Sequence, residues 1–143
     1  MFVLDTDHIS LIQRSADRLG DSVRQRCEST GLDQVFVTIV SFHEQSLGWN
    51  TVIQSSRRME QVIHGYERFE LVLAQYANAN VLPFDERAAV EFQRIKAMNL
   101  RVGTMDLRIA AITVASGKTL LTRNTRDFGR IVGLKLDDWT KSP

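Results

Sequence analysis

Acidic residues stand beside apolar segments at four places in this chain, where carboxylates are uncommon. Asp5 ends an apolar run at the N-terminus, and Glu44 lies on an apolar helical stripe with Val40 and Leu47. Asp106 opens a predicted helix, and Asp127 follows a predicted strand. An unpaired carboxylate that faces a core is destabilising by several kcal/mol, so each must be exposed, paired or bound to a cation.

Each of these acids has an ordinary structural interpretation when it is taken alone. Asp5 and Asp106 stand where a carboxylate stabilises a helix N-terminus, Glu44 could reach the surface, and Asp127 could be a loop acid. Together, at one edge of a sheet, they would repel one another unless a cation neutralised them. Oxygen-only ligands select Mg²⁺ or Mn²⁺, and the chemistry such ions support is attack of water on a phosphodiester.

Short apolar runs alternate with amphipathic segments along the chain. Strands are predicted at Met1–Leu4, Val35–Val37, Val81–Phe84, Thr119–Thr122 and Leu134–Leu136. Helices are predicted after the first strand with Thr6 as cap, from about Ile39 with Thr38 as cap, from Val62, after Asp85, and over 105–116. The stripe Val62, Tyr66, Phe69, Leu73 and Tyr76 is predicted as core, and any exposed part of it would offer a groove to a partner.

This alternation predicts an α/β fold with a central parallel sheet between two layers of helices. No repeat or change of composition divides the chain, so residues 1–143 are expected to form a single domain. Sites in such sheets form outside the carboxyl ends of the strands. Asp5 and the segment after Thr122 are therefore expected at the same edge.

Composition excludes several classes of protein. The chain has 143 residues, a formal net charge of +1 and one cysteine, so neither a disulfide framework nor a multi-cysteine zinc site is possible. No apolar run is long enough to span a membrane, and a cytoplasmic protein is expected. Eight basic residues and only two acids lie between positions 94 and 130. Four of these are candidates to bind RNA phosphates: Arg101, Arg108, Arg123 and Arg126.

Several segments, in order and spacing, resemble the PIN-domain ribonucleases, specifically the VapC-type toxins of bacterial toxin–antitoxin pairs. They are Leu4-Asp5-Thr6-Asp7-His8-Ile9, Glu44, Gly103-Thr104-Met105-Asp106-Leu107-Arg108-Ile109-Ala110-Ala111, the segment from Thr122 to Phe128, and the tail Gly133-Leu134-Lys135-Leu136-Asp137-Asp138-Trp139. The resemblance covers nearly the whole chain. No single motif carries it.

The resemblance implies a PIN-like three-layer fold and a catalytic, metal-binding set of Asp5, Glu44, Asp106 and Asp127. Thr122 and Asn124 match polar residues near the family's site, and Thr6 is grouped with them as a supporting residue. The family cleaves RNA, often structured RNA such as tRNA, with Mg²⁺ or Mn²⁺. Its members are commonly homodimers that a cognate antitoxin silences, so these partners are expected here.

The chain departs from the family at Asp7, where most members have Asn. We therefore expect Asp7 to be the most tolerant of the acids, and we interpret the neighbouring His8 as a helix-surface residue rather than a general base. Asp5 and Asp7 also permit an alternative, a haloacid-dehalogenase-like phosphatase with an Asp nucleophile and an acid–base Asp two residues later. A second alternative is a non-catalytic PIN-type module that binds RNA or protein.

Overall fold

The computed structural model describes residues 1–14 and 16–143. Its strands are β1 (Phe2–Leu4), β2 (Val35–Thr38), β3 (Val81–Leu82), β4 (Thr119–Leu121) and β5 (Lys135–Asp137). Its helices are α1 (Thr6–Gln13), α2 (Arg18–Thr30), α3 (Ile39–Ser55), α4 (Met59–Ala77), α5 (Glu86–Lys96), α6 (Thr104–Ala115) and α7 (Thr125–Phe128), with a 3₁₀ turn at Leu32–Gln34. The predicted strands are all present, within two residues at each end.

The five strands form one parallel sheet in the order β3-β2-β1-β4-β5. The central strand is β1, whose Val3 pairs with Phe36 on one side and with Leu120 on the other. From β1 the chain extends the sheet in one direction through β2 and β3, and later in the opposite direction through β4 and β5. The carboxyl ends of β1 and β4 therefore flank the point at which the strand order reverses, the usual place for a site in this architecture.

Alternation along the strands builds two separate cores, one on each face of the sheet. Val3 and Leu120 pack in a cluster with α5 and α6, while their neighbours Leu4 and Leu121 pack in a cluster on the other face. That second cluster includes side chains from α1, α2 and α4 together with Trp139. Helices thus cover both faces, which confirms the predicted three-layer α/β arrangement.

Polar residues at the strand ends begin the helices that follow. Asp5 is the N-cap of α1, Thr38 of α3 and Asp85 of α5, and each side chain accepts a backbone N–H of the first turn. The prediction that Thr6 caps α1 was wrong by one residue. Because the Asp5 carboxylate takes the capping position, the Thr6 hydroxyl is free to point to another element.

Two helical regions differ from the sequence-based expectation. Helix α2 was not predicted, because its 13 residues are mostly polar and bury only Gly20, Val23 and Cys27. A Cβ at Gly20 would lie 2.2 Å from the Leu11 carbonyl oxygen, so only glycine allows α2 to approach α1 this closely.

No helix in the described ranges is both long and apolar enough to cross a bilayer.

The stripe on α4 is only partly core. Tyr76 is buried, whereas Tyr66 and Leu73 expose 60% and 58% of their surface. The prediction that the stripe is core holds for only part of it, and the exposed part gives α4 an apolar face in solvent, the alternative that the sequence left open. Leu47 on α3 and Ile63 on α4 are exposed as well.

Candidate active site

The four predicted acids come from four different elements of the fold. Asp5 follows β1 directly, Glu44 lies in the second turn of α3, Asp106 in the first turn of α6, and Asp127 in α7. Asp5 is 6% exposed, and the other three are partly buried. The elements that carry them begin at or near the carboxyl edge of the sheet, as the parallel topology requires.

Electrostatics at Asp106 show that the four carboxyl groups converge. Burial, followed by the charges of Glu44, Asp5 and Asp127, raises the pKa of Asp106 to about 6 from its ordinary value of 3.8. Within the described ranges, Glu44, Asp106 and Asp127 form no ion pair with a lysine or arginine. The cluster therefore holds negative charge that the protein itself does not neutralise.

Asp5 is held by a neighbour in its own helix. Its Oδ1 accepts the His8 backbone N–H at 2.7 Å and lies 3.2 Å from His8 Nδ1. Because a carboxylate only accepts, Nδ1 must be the donor in this contact. Asp5 Oδ2 accepts no hydrogen bond from any described residue, so one oxygen of Asp5 is available to a ligand.

Glu44 is oriented by the hydroxyl of Thr6. Thr6 Oγ1 donates to Glu44 Oε1 at 2.7 Å and lies 3.0 Å from Ser41 Oγ. Ser41 is fully buried one turn before Glu44, and its backbone N–H donates to the Thr38 hydroxyl. Thr6 thus links α1 to α3 at the site. Ser41, which the sequence interpretation did not include, supports it from α3.

Asp127 is held by the two polar residues predicted beside it. Asn124 Nδ2 donates to Asp127 Oδ2 at 3.1 Å, and the Asn124 backbone N–H donates to Thr122 Oγ1 at 3.0 Å. Thr122 is fully buried. These contacts fix the loop that joins β4 to α7, and with it the direction of the Asp127 carboxylate.

Asp7 forms an ion pair instead of joining the uncompensated cluster. Arg123 donates to it through two nitrogens, with Nη2 2.7 Å from Asp7 Oδ1. The Arg123 guanidinium holds the pKa of Asp7 below its ordinary value. Both side chains are about two-fifths exposed, at 42% and 41%.

The other three predicted RNA-binding arginines differ in their surroundings. Arg101 and Arg126 are exposed and have no acidic partner among the described residues. Arg108 is partly buried, with its guanidinium carbon 5.9 Å from the centre of the Phe92 ring. Arg101 and Arg126 are therefore free to meet a phosphate, whereas Arg108 is partly occupied by packing.

His8 is buried, and its interpretation as a helix-surface residue was wrong. Its ring is 0% exposed and lies between Asp5 and Asp138. Asp138 follows β5, whose carboxyl end is at the same edge as that of β1. The position of Asp138 directly after a strand of the parallel sheet was a signal that it lies at this edge. The sequence around His8 contains no signal that the histidine is buried.

Ligand atoms of Asp5, Asp7 and His8 all lie within 4.8 Å of one another, a spacing that could hold a metal ion. Within the described ranges this is the only such close group of three. The other acids that the family implies, Glu44, Asp106 and Asp127, do not belong to this close group. They interact with Asp5 over longer distances, and the charges of Asp5, Glu44 and Asp127 together raise the pKa of Asp106.

A groove leads away from the site between α1, α3 and α4. It has a volume of about 620 Å³ and begins at Thr6 and Glu44. Basic, amide, aromatic and aliphatic side chains line the rest, among them Arg68, Gln75, Trp49, Val52 and Leu71. The groove therefore reaches the acidic cluster at Glu44, one of the four acids.

The fold and the acidic edge together define a class: parallel α/β proteins with a carboxylate site at the strand-order reversal. Comparison with known families identifies it further, since the model of the PIN domain matches residues 2–134. The chain belongs to the PIN domain family.

Individual relatives agree with this assignment. The chain is 31% identical over 97 residues to a tRNA(fMet)-specific endonuclease VapC of Shigella flexneri, across 60% of this chain and 74% of that protein. It is 24% identical to a ribonuclease VapC1 of Haemophilus influenzae, across 99% of both chains. Among solved structures, a DNA-bound VapBC of Salmonella typhimurium superposes with a TM-score of 0.76 at 24% identity, over 96% of this chain and 97% of that one.

Proposed function

We propose that this protein is a metal-dependent endoribonuclease of the VapC type, the toxin of a toxin–antitoxin pair. The observation that carries the proposal is the match of the PIN domain to residues 2–134, which include all four acids. The charges of Glu44, Asp5 and Asp127 that raise the pKa of Asp106 support it. The names of the relatives, ribonuclease and tRNA endonuclease, support the same reaction.

The donor set fits a hard divalent cation. Carboxylate oxygens are the ligands that Mg²⁺ and Mn²⁺ prefer, and the uncompensated charge at Asp106 would be neutralised by such an ion. Asp5, Glu44, Asp106 and Asp127 would hold it. When bound, a divalent ion supplies charge stabilisation at the phosphoryl oxygens during hydrolysis.

The surrounding residues prepare the carboxylates for that task. Thr6 holds Glu44, and Asn124 with Thr122 holds Asp127, so each carboxylate keeps one orientation before any ligand arrives. Preorganised groups of this kind need no rearrangement during the reaction. Arg101 and Arg126 would contact phosphates of the RNA, and Arg123 would do so only in competition with Asp7.

A structured RNA such as tRNA is the proposed substrate, and the name of the Shigella relative supports this choice. The proposed protein partners are a second copy of the chain and a cognate antitoxin. Exposed Tyr66 and Leu73 give α4 an apolar face for such a partner. Residues 1–143 would act as one domain, in the cytoplasm, where the RNA is.

The test is cleavage of a tRNA mixture by purified protein with Mg²⁺ or Mn²⁺, with excess EDTA, and without added metal. We expect cleavage only with metal, and its loss in Asp5→Asn. Asp33→Asn is the matched control, since Asp33 is exposed at the opposite edge of the sheet, before β2. Undiminished cleavage in EDTA would remove the metal-dependent mechanism, and an inactive wild type would favour a non-catalytic module.

The phosphatase alternative is not favoured by the geometry of Asp7. A general acid must carry a proton at the working pH, but the Arg123 guanidinium lowers the pKa of Asp7 and keeps it ionised. The phosphatase hypothesis also has no role for Glu44, which Thr6 holds at the site. Hydrolysis of a small phosphomonoester with no cleavage of RNA would reverse this choice.

A further inference from the structure

An ion pair joins the first turn of α1 to the loop after β4, at the edge of the sheet where the acids lie. Arg123 Nε donates to Asp7 Oδ2 at 2.5 Å, and Arg123 Nη2 donates to Asp7 Oδ1 at 2.7 Å. The planar guanidinium thus meets both carboxylate oxygens along one edge. Because arginine binds phosphate with the same two-point geometry, the Asp7 carboxylate occupies the part of Arg123 that would contact RNA.

The two members of this pair lie on the segments that carry two of the proposed metal-binding acids. Asp7 is two positions after Asp5, whose backbone N–H donates to the Leu121 carbonyl at 3.1 Å. Arg123 is two positions after Leu121, in the loop that leads to α7 and Asp127. The pair therefore spans the edge that is proposed to receive RNA.

Arg123 differs from the other candidate RNA-binding arginines in having an acidic partner. Among the described residues, it is the only one of the four within ion-pair distance of a carboxylate. Both side chains of the pair are partly open to solvent, so the guanidinium can exchange partners without a change in the backbone. Exposed pairs shift an equilibrium by only about 1.5- to 5-fold, so RNA phosphates can displace Asp7, at a small loss of affinity.

We propose that Asp7 is an internal competitor for RNA: its carboxylate holds the guanidinium edge of Arg123 that takes a phosphate, and RNA binds this arginine only after the pair has opened. Asp7 therefore weakens RNA binding. The inference rests on the proposed function, since it takes RNA as the ligand of this edge. It requires no change of protonation, because aspartate and arginine are both charged at neutral pH.

The salt dependence of binding distinguishes this competition from a general repulsion of RNA by Asp7. A phosphate contact releases counterions from the RNA and contributes about 0.7 to 0.9 to the slope of log affinity against log salt. When RNA takes Arg123 from Asp7, the freed carboxylate attracts a cation from solution, which offsets most of this release. Arg123 should therefore contribute its full slope only after Asp7 has been neutralised.

The experiment is a double-mutant cycle of Asp7→Asn and Arg123→Ala, in full chains that also carry Asp106→Asn so that RNA stays uncut. Binding of a fluorescently labelled tRNA mixture is measured by anisotropy at several NaCl concentrations and constant Mg²⁺. With Arg123 present, Asp7→Asn should bind about two- to fivefold more tightly, with a slope steeper by about 0.7 to 0.9. With Arg123→Ala, the same change should alter affinity and slope much less. Asp33→Asn controls for the loss of one exposed acid elsewhere.

Equal gains with and without Arg123 would show that Asp7 only repels RNA, which overturns the inference. Weaker binding in Asp7→Asn would make Asp7 a group that RNA binding needs, and a lower melting temperature with unchanged affinity would make the pair a structural tie. Either result overturns the inference as well.

The failure of the inference can be told apart from that of the proposed function. If the chain with Asp106 intact neither binds nor cleaves tRNA, the proposed function fails and the inference fails with it. If that chain cleaves tRNA and the cycle is additive, only the inference fails. Should the Asp106→Asn chains bind too weakly to measure, the same cycle in the KM for cleavage by chains with Asp106 intact decides the question.

Discussion

Asp7 and Asp106 are both partly buried carboxylates near the same edge of the sheet, yet their environments are opposite. Arg123 donates two hydrogen bonds to Asp7 and lowers its pKa, whereas burial and three neighbouring carboxylates raise the pKa of Asp106 to about 6. The negative charge of Asp7 is compensated within the protein, whereas that of Asp106 is not. This difference indicates where a cation is needed more directly than a count of the acids does.

The largest effect is expected when a carboxyl group that has no basic partner is neutralised. Asp106→Asn, like Asp5→Asn and Glu44→Gln, should reduce RNA cleavage by roughly a hundredfold or more, because a metal ion contributes several kcal/mol to such reactions. Cleavage of tRNA by purified variants, beside toxicity in cells, measures this. Asp127→Asn should be less severe, and full activity of Glu44→Gln would contradict the proposed site.

The arginines give a second, smaller contrast between paired and free side chains. Arg101→Ala and Arg126→Ala should each weaken RNA binding several-fold and reduce the slope of log affinity against log salt by about 0.7 to 0.9. Arg123→Ala should change the slope less, because Asp7 already neutralises that guanidinium. Binding to catalytically inactive Asp106→Asn protein at several salt concentrations tests this. Equal slopes for all three arginines would remove the contrast.

The pH dependence of stability separates the two acids directly. The raised pKa means that the folded state binds the Asp106 proton more tightly than the unfolded state does. In metal-free buffer, the contribution of Asp106 to stability should therefore fall as pH rises from about 4 to about 6 and stay low above that.

The Asp106→Asn variant does not lose stability in this way. The difference between its melting temperature and that of wild type should therefore increase in favour of the variant by up to several degrees between about pH 4 and pH 7. Added Mg²⁺ should reverse the order at pH 7 by stabilising wild type alone. A constant difference across this pH range would show that Asp106 is not destabilised by its neighbours.

The smallest effect is expected from a change to Asp7, which is paired with Arg123. Asp7→Asn breaks an ion pair that is partly exposed, and such pairs contribute about 0.2 to 1 kcal/mol. Urea unfolding at neutral pH should show a loss of that size, and a double-mutant cycle with Arg123→Ala isolates the pair. Cleavage should stay close to wild type, which keeps Asp7 as the most tolerant acid. A loss as large as in Asp5→Asn would make Asp7 part of the catalytic set.

The fold and family were predictable because they depend on short-range patterns. Apolar runs such as Phe2–Leu4 mark buried strands, and a parallel sheet collects whatever follows them at one edge. The prediction of a PIN-type α/β fold is confirmed, whereas the set of four site acids stays a prediction, which the charges that act on Asp106 support. Helix α2 escaped notice because its contact with α1 depends on the absence of a side chain at Gly20 rather than on an apolar stripe.

The residues around the acids were less predictable, since their roles depend on contacts distant in sequence. Thr6 was expected to cap its own helix and instead donates to Glu44, 38 positions away. His8 was expected at the surface, but the segment carrying Asp138 covers it from the far end of the chain. The sequence around Thr6 and His8 does not indicate either contact. On a helix of only eight residues, the local sequence does not distinguish a buried histidine from an exposed one.

The strand order also decides when the acidic edge can come into being. β1 is made before the other four strands, but its neighbour β4 follows only after about four-fifths of the described chain. A growing chain thus carries Asp5 and Glu44 long before Asp106 and Asp127 exist, and its central strand has one unpaired side until then. The four carboxylates can therefore meet only after Asp127 has been made, so the order of synthesis delays the assembly of the site.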